Sequence, residues 1–259
     1  MKIPMYQIDA FTTERFRGNP AAVCLLDSWV DDTILQNIAA ENNLAETAFV
    51  VSGETFHELR WFTPEIEIDL CGHATLAAAH ALRTCAGRSE QEMLFHTKSG
   101  ELSVRCSDDL YTLNFPSRPA VPVDAPEALL RGLGKAPVET LKSRDFLAVY
   151  EREQDVAGIC PDYSALMELD CLGIIVTAPG NDADIVSRFF APGAGIPEDP
   201  VTGSSHCTLI PYWSARTGKQ KLSARQLSRR GGELFCEDMG ERVNIVGRAV
   251  MYLKGEIFL

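Results

Sequence analysis

Three stretches of the chain carry side chains able to move a proton or hold an anion. Cys71-Gly72-His73-Ala74-Thr75 and Asp199-Pro200-Val201-Thr202-Gly203-Ser204 each set small and polar residues at the mouth of an apolar, helix-like run. Glycine there removes the side chain that would block backbone approach, and the first N–H groups of a helix have no partner within it. With roughly +0.5 of charge from the helix dipole, those N–H groups attract a carboxylate or phosphate. Two such starts converging on one interdomain cleft would let an acidic protein hold an anion without arginine. The glycines would equally serve close helix–sheet packing. The third stretch, Leu44-Ala45-Glu46-Thr47-Ala48-Phe49, places Glu46 just ahead of an apolar strand. A carboxylate held near substrate and partly shielded from water can take a proton from an acidic C–H and return it elsewhere. On residue type alone, Glu46 reads first as a solvated glutamate opening a strand.

Other chemistries find little support. Ser204, Ser205 and His206 are adjacent, but the Gly-x-Ser-x-Gly elbow of a serine hydrolase is missing. His73 and His80 are seven apart and could share a helix face, yet no third metal ligand is spaced with them. No glycine-rich dinucleotide or phosphate loop occurs, so nothing argues for a nucleotide cofactor. The eight cysteines are scattered and contain no Cys-x-x-Cys pair, which predicts reduced core residues rather than disulfides or a zinc or iron–sulfur site. The net charge of −12 disfavours a nucleic-acid partner. An apolar fraction of 46% supplies a full core and excludes disorder. No run approaches the ~18 apolar residues of a membrane span, and Asp9 interrupts any signal-peptide core. The expectation is a cytoplasmic protein without membrane or nucleic-acid partners.

The elements that must position these residues are written twice. The segment from Cys71 matches that from Thr202 at a shift of 131, and Arg60-Trp61-Phe62-Thr63-Pro64 matches Arg188-Phe189-Phe190-Ala191-Pro192 at 128. Ser99-Gly100-Glu101-Leu102 matches Gly231-Gly232-Glu233-Leu234 at 132, and Tyr111–Asn114 matches Arg242–Ile245 at 131. Four matches in one order make chance a poor explanation. Alternation and short apolar runs predict strands at 5–11, 21–26, 48–51, 57–62, 173–177 and 185–190. Helices are expected at 31–41, 72–86 with Gly87 as its stop, 162–169, and from about Gly203. The prolines between 117 and 137 predict a linker. The fold class is α+β: two similar domains, 1–117 and 118–259, each a β-sheet wrapped around a central helix.

Phe16-Arg17-Gly18-Asn19-Pro20, the Glu46 segment, Phe62-Thr63-Pro64 with Cys71-Gly72-His73-Ala74-Thr75, and Glu198-Asp199-Pro200-Val201-Thr202-Gly203-Ser204 occur in that order. Together they resemble the phenazine-biosynthesis PhzF-like family, of the diaminopimelate-epimerase fold, across nearly the whole chain. The resemblance implies a cofactor-free, metal-free isomerase, a homodimer, and a last strand, Ile257-Phe258-Leu259, that returns to the first domain. It implies that Glu46 is the general acid/base, with His73 and Asp199 assisting it. Gly72, Gly203 and Ser204 would bind a small carboxylate substrate, with Cys71 and Thr202 lining the site. A dihydro-hydroxyanthranilate-like cyclic amino acid is one precedent for that substrate.

Aligning the strand after Glu46 with Ile174–Thr177 sets Leu172 opposite Glu46, so the base is expected in one half only. Diaminopimelate epimerases use a cysteine beside each helix-start glycine. Here Cys71 has Thr202 as its counterpart and Cys207 lies a turn further on, which argues against a two-thiol racemase. Cys71 at a helix start is open to a lowered thiol pKa. The alternative function is a catalytically silent protein that binds a small carboxylic acid.

Overall fold

The computed structural model describes residues 1–259. The chain opens with β1 (Lys2–Ala10), β2 (Asn19–Leu26), α1 (Asp32–Asn42), β3 (Glu46–Ser52), β4 (His57–Phe62) and β5 (Glu67–Ile68). It continues through α2 (Gly72–Cys85), β6 (Glu92–Thr97), β7 (Gly100–Ser107), β8 (Leu110–Pro116), β9 (Val121–Pro122) and α3 (Glu127–Leu133). Then come β10 (Glu139–Lys142), β11 (Phe146–Val149), α4 (Glu153–Ala157), α5 (Tyr163–Leu166), β12 (Ile174–Pro179) and β13 (Ile185–Phe190). It ends with α6 (His206–Thr217), β14 (Lys221–Gln226), β15 (Gly232–Asp238), β16 (Arg242–Gly247) and β17 (Ala249–Phe258). Two compact units result: residues 1–114 with 246–259, and residues 115–245. No helix is long and apolar enough to cross a membrane, and the eight cysteines form no disulfide.

In the first unit, α2 is the centre. It touches β1, β2, β3, β7 and β17, and Ala74, Leu76, Ala77, Ala78, Ala79, Ala81 and Leu82 are all buried. A helix apolar on every side is stable only when surrounded, and its alanines let strands approach closely. Outside the sheet, Leu35, Ile38 and Ala39 of α1 pack on Ile3, Cys24, Phe49 and Phe62. The last strand pairs antiparallel with β1, setting Ile257 opposite Ile3.

In the second unit, α6 packs on β14 and β15 and buries His206 to Ile210 and Trp213. Pro211 inside this helix has no N–H for the carbonyl of Cys207; that carbonyl instead accepts the backbone N–H of Arg118 at 2.8 Å. The stretch 117–137 is not the linker its prolines suggest. It carries β9 and α3, and Leu129 and Leu133 are buried in a cluster with Phe146, Tyr150 and Phe190. Pro126 caps the start of α3 and Pro122 lies in the two-residue β9, positions where a missing N–H does no harm.

The strand pattern is the same in both units. Pairings β2–β3 and β4–β6 are parallel, while β3–β4 and β6–β7 are antiparallel. Likewise β11–β12 and β13–β14 are parallel, while β12–β13 and β14–β15 are antiparallel. Even an ion pair recurs. Arg60 on β4 grips Glu67 through Nε and Nη2 at 2.7 and 2.8 Å, as Arg188 on β13 grips Glu198 at 2.7 and 3.0 Å. The register corrects one alignment. Phe62 pairs with Thr47 and Phe190 with Ile174, so the counterpart of Glu46 is Gly173, not Leu172. The apolar run Ile174-Ile175-Val176 is buried throughout and can slide by one residue without spoiling its pattern.

Candidate active site

In the first unit the site is built where β2, β3 and the start of α2 meet. Glu46 is the first residue of β3, paired with Ala21 of β2, and its side chain is only 10% exposed. His73 is the second residue of α2, whose start has no side-chain cap from Cys71. The imidazole Nε2 lies 3.0 Å from Oε2 of Glu46. The two atoms are close but not aligned for a hydrogen bond, so both keep hydrogen-bonding capacity for a third group. On the other side of the ring, Nδ1 lies 3.2 Å from Nδ2 of Asn19 and 3.5 Å from Sγ of Cys71.

Burial works against a proton on His73, but its neighbours outweigh it, Cys71 as a hydrogen-bond partner and Glu46 through its carboxylate charge, and shift the imidazole well above its ordinary range. Cys71, which a helix start left open to a lowered pKa, is shifted the other way. Burial, and then the charge of Glu46, push the thiol up, so it remains protonated and a poor nucleophile. Glu46, Cys71 and His73 offer ligand atoms within 4.8 Å of one another. The thiol faces Nδ1 while the carboxylate faces Nε2, so an ion on either ring nitrogen would have only one of the two beside it. His80 is not part of this group: its Nδ1 lies 3.0 Å from the Tyr111 hydroxyl, and burial lowers its pKa to about 4.

In the second unit, Asp199, Thr202 and Gly203 are buried and Ser204 is partly exposed. The Thr202 hydroxyl donates to Asp199 Oδ2. Gln226, fully buried, stitches this turn together: its Oε1 accepts from Thr202 N at 2.8 Å, and its Nε2 donates to Asp199 O at 2.8 Å and Thr202 Oγ1 at 3.1 Å. The helix begins at His206 rather than Gly203, because Gly203–Ser205 form a preceding turn with bonds from His206 N to Gly203 O and Cys207 N to Ser204 O. His206 serves this turn, with Nδ1 2.9 Å from Thr202 O, and burial lowers its pKa to about 4. Ser205 Oγ lies 3.3 Å from His206 Nδ1 but gives its hydroxyl proton to the same carbonyl at 2.8 Å, so the proton is not directed to the histidine as a serine nucleophile requires.

Sequence reasoning passed over Asn19, Gln226 and Arg144. Asn19 belonged to a quoted motif without a role, and Gln226 ends a strand far along the chain. Arg144 follows a short strand and reads as a solvated loop charge, yet its Nη2 donates to Ser204 Oγ at 3.2 Å. A guanidinium thus stands beside Ser204, where the sequence reading places none.

The family model described as phenazine biosynthesis-like protein, PhzC-PhzF, matches residues 8–255. A Pseudomonas aeruginosa protein named an uncharacterized isomerase is 49% identical over 259 residues, covering 100% of both chains. The crystal structure of a PhzF-family phenazine biosynthesis protein from Enterococcus faecalis is similar with a TM-score of 0.98 at 47% identity, again over 100% of both chains. A hydroxyproline epimerase from Agrobacterium vitis shares the fold, with a TM-score of 0.64 at 10% identity over 99% of this chain and 92% of that one.

Proposed function

The chain belongs to the phenazine biosynthesis-like family, and from that premise we propose a cofactor-independent isomerase that moves a proton within a small cyclic amino or carboxylic acid. The observation that carries the reading is the buried Glu46 carboxylate, 3.0 Å from His73 Nε2, with hydrogen-bonding capacity left on both atoms. Glu46 removes a proton from an activated carbon, and the electron pair left behind enters the adjacent unsaturated system. The protonated Glu46 then delivers that proton to another carbon of the same substrate. The carboxylate is regenerated, and nothing is oxidised or reduced. His73, its pKa raised by the groups beside it, steadies the carboxylate and the negative charge that develops on the substrate. Asp199 assists the transfer, and the start of α2 at Gly72 and the turn at Gly203 and Ser204 ahead of α6 take the substrate's polar atoms. One base in one half suits a single group that shuttles between two carbons, whereas a racemase needs a base for each face.

The test is deuterium uptake from D2O into candidate carbon acids, compared for the wild type and Glu46→Gln. A positioned acid/base contributes ~10²–10⁴-fold, so the variant loses at least that much exchange while still binding ligand. Binding without exchange in the wild type would favour a silent carboxylate-binding protein, and an active Glu46→Gln would remove the assignment.

A further inference from the structure

Arg144 and Asp145 form the turn between β10 and β11. Asp145 is 1% exposed, and its carboxylate takes Arg144 Nε at 3.2 and 3.3 Å and Nη2 at 2.8 Å. The turn is pinned to the first turn of α6, since Ser143 Oγ lies 3.2 Å from Thr208 Oγ1 and Ser143 N donates to Asp145 O at 3.0 Å. From this mount Arg144 Nη2 also donates to Ser204 Oγ at 3.2 Å, while Nη1 makes no bond within the chain. The Arg144 side chain stays 34% exposed. Burying a carboxylate to aim a partly exposed guanidinium carries a desolvation penalty that a merely solvated arginine would not incur.

The bond to Ser204 has a chemical consequence. An oxygen that accepts from a guanidinium turns its own proton elsewhere, so Ser204 is set up as a donor towards a ligand. A second guanidinium is near. Arg118 gives its backbone N–H to Cys207 O, its Nη1 is buried without a partner, and both Arg118 and Arg144 favour the Cys207 thiolate against a burial that pushes the thiol up to about 11. Two guanidiniums therefore gather around one buried carboxylate, and with Nε and Nη2 of Arg144 engaged by Asp145 and Ser204, its Nη1 remains to donate to a ligand carboxylate beside Ser204.

We propose that Arg144, aimed by Asp145, is the specificity residue of the second unit and selects a ligand that presents a carboxylate to Ser204. The proposal rests on the assignment of Ser204 to substrate binding. Calorimetric titration with 2-aminobenzoate and 2-aminobenzamide, planar probes of nearly equal shape that differ in charge, tests it. The wild type binds the acid at least tenfold more tightly than the amide, the expected scale of a charged hydrogen bond. Arg144→Gln alone strands the buried Asp145, so the deciding variant is Arg144→Gln/Asp145→Asn, with folding checked by its thermal melt. It brings acid and amide to within about threefold, while Arg144→Lys, which keeps charge but not the fork, falls between. The preference is read from binding alone, with no proton transfer, so failure of the Glu46 assignment leaves this result intact. A double variant that retains the full preference overturns the proposal, as does a wild type that binds the two probes equally or binds neither.

Discussion

Glu46 and Gly173 occupy the same place in the two units, each one residue before the strand residue that pairs with the closing phenylalanine of the next strand. The first unit puts a carboxylate there. In the second, a Cβ on Gly173 would lie 2.2 Å from the Phe189 ring, so an aromatic ring fills the space that a side chain would need. The asymmetry is therefore built into packing as well as sequence.

Gly173→Ala should destabilise the protein by about 1–3 kcal/mol, the usual range for overpacking a filled core. Urea denaturation would measure it, and Phe189→Leu on the same background should restore most of the loss. An unchanged midpoint for Gly173→Ala would mean that the Phe189 ring moves aside at little cost.

Much of this was legible in the sequence because the repeat constrains it. Arg60 and Arg188, matched at a shift of 128, make the same two-pronged grip on a glutamate, and the helix from Gly72 was readable from its alanines and the Gly87 stop. What failed did so for physical reasons. The 117–137 prolines sit at a cap and in a two-residue strand, where they punctuate structure without ending it. Arg144 was invisible because its meaning lies 60 residues away at Ser204, and hairpin turns commonly carry charges that face only water.

The partly buried His80 and the buried His206 contribute most clearly to an acid limb of stability, with the buried His57 shifted the same way by burial. His80 and His206 have pKa values lowered by burial to about 4, against about 6.5 unfolded. Between those values the unfolded chain binds more protons, so stability is full above pH ~6.5 and falls as pH drops towards 4, by roughly 3 kcal/mol per histidine. His73 works oppositely. Its raised pKa gives stability that is full below ~6.5 and fades as pH rises through its folded value. Chemical denaturation across pH should show a shallower acid limb in His80→Gln and a shallower alkaline limb in His73→Gln; unaltered limbs would contradict these assignments.

Cys71 should be dispensable for proton transfer. Its thiol is buried and raised in pKa, so iodoacetamide at neutral pH should label the exposed Cys160 well before it. Cys71→Ala should retain most of the exchange activity lost in Glu46→Gln. Early labelling of Cys71, or a dead Cys71→Ala enzyme, would move the chemistry to the thiol.

The two matched arginines should not be equal. Arg188 holds Glu198 and also donates to the carbonyls of Val156 and Ile159 at 3.3 and 2.7 Å, with side-chain exposures of 11% for Arg188 and 20% for Glu198. Arg60 grips Glu67 but caps no carbonyl, and Glu67 has Lys98 as a second cation. Arg188→Met strands a mostly buried carboxylate and the Ile159 carbonyl, and should cost about 3 kcal/mol. Arg60→Met should cost at least about 1 kcal/mol less, since Lys98 remains beside Glu67. Glu198 adjoins Asp199, whose N–H donates to Phe189 O at 3.0 Å, so Arg188→Met should also speed hydrogen exchange at Asp199 without changing that at Glu46. Equal losses for the two variants, or an unchanged exchange rate at Asp199, would show that the Arg188 grip does not hold the turn on which Asp199 stands.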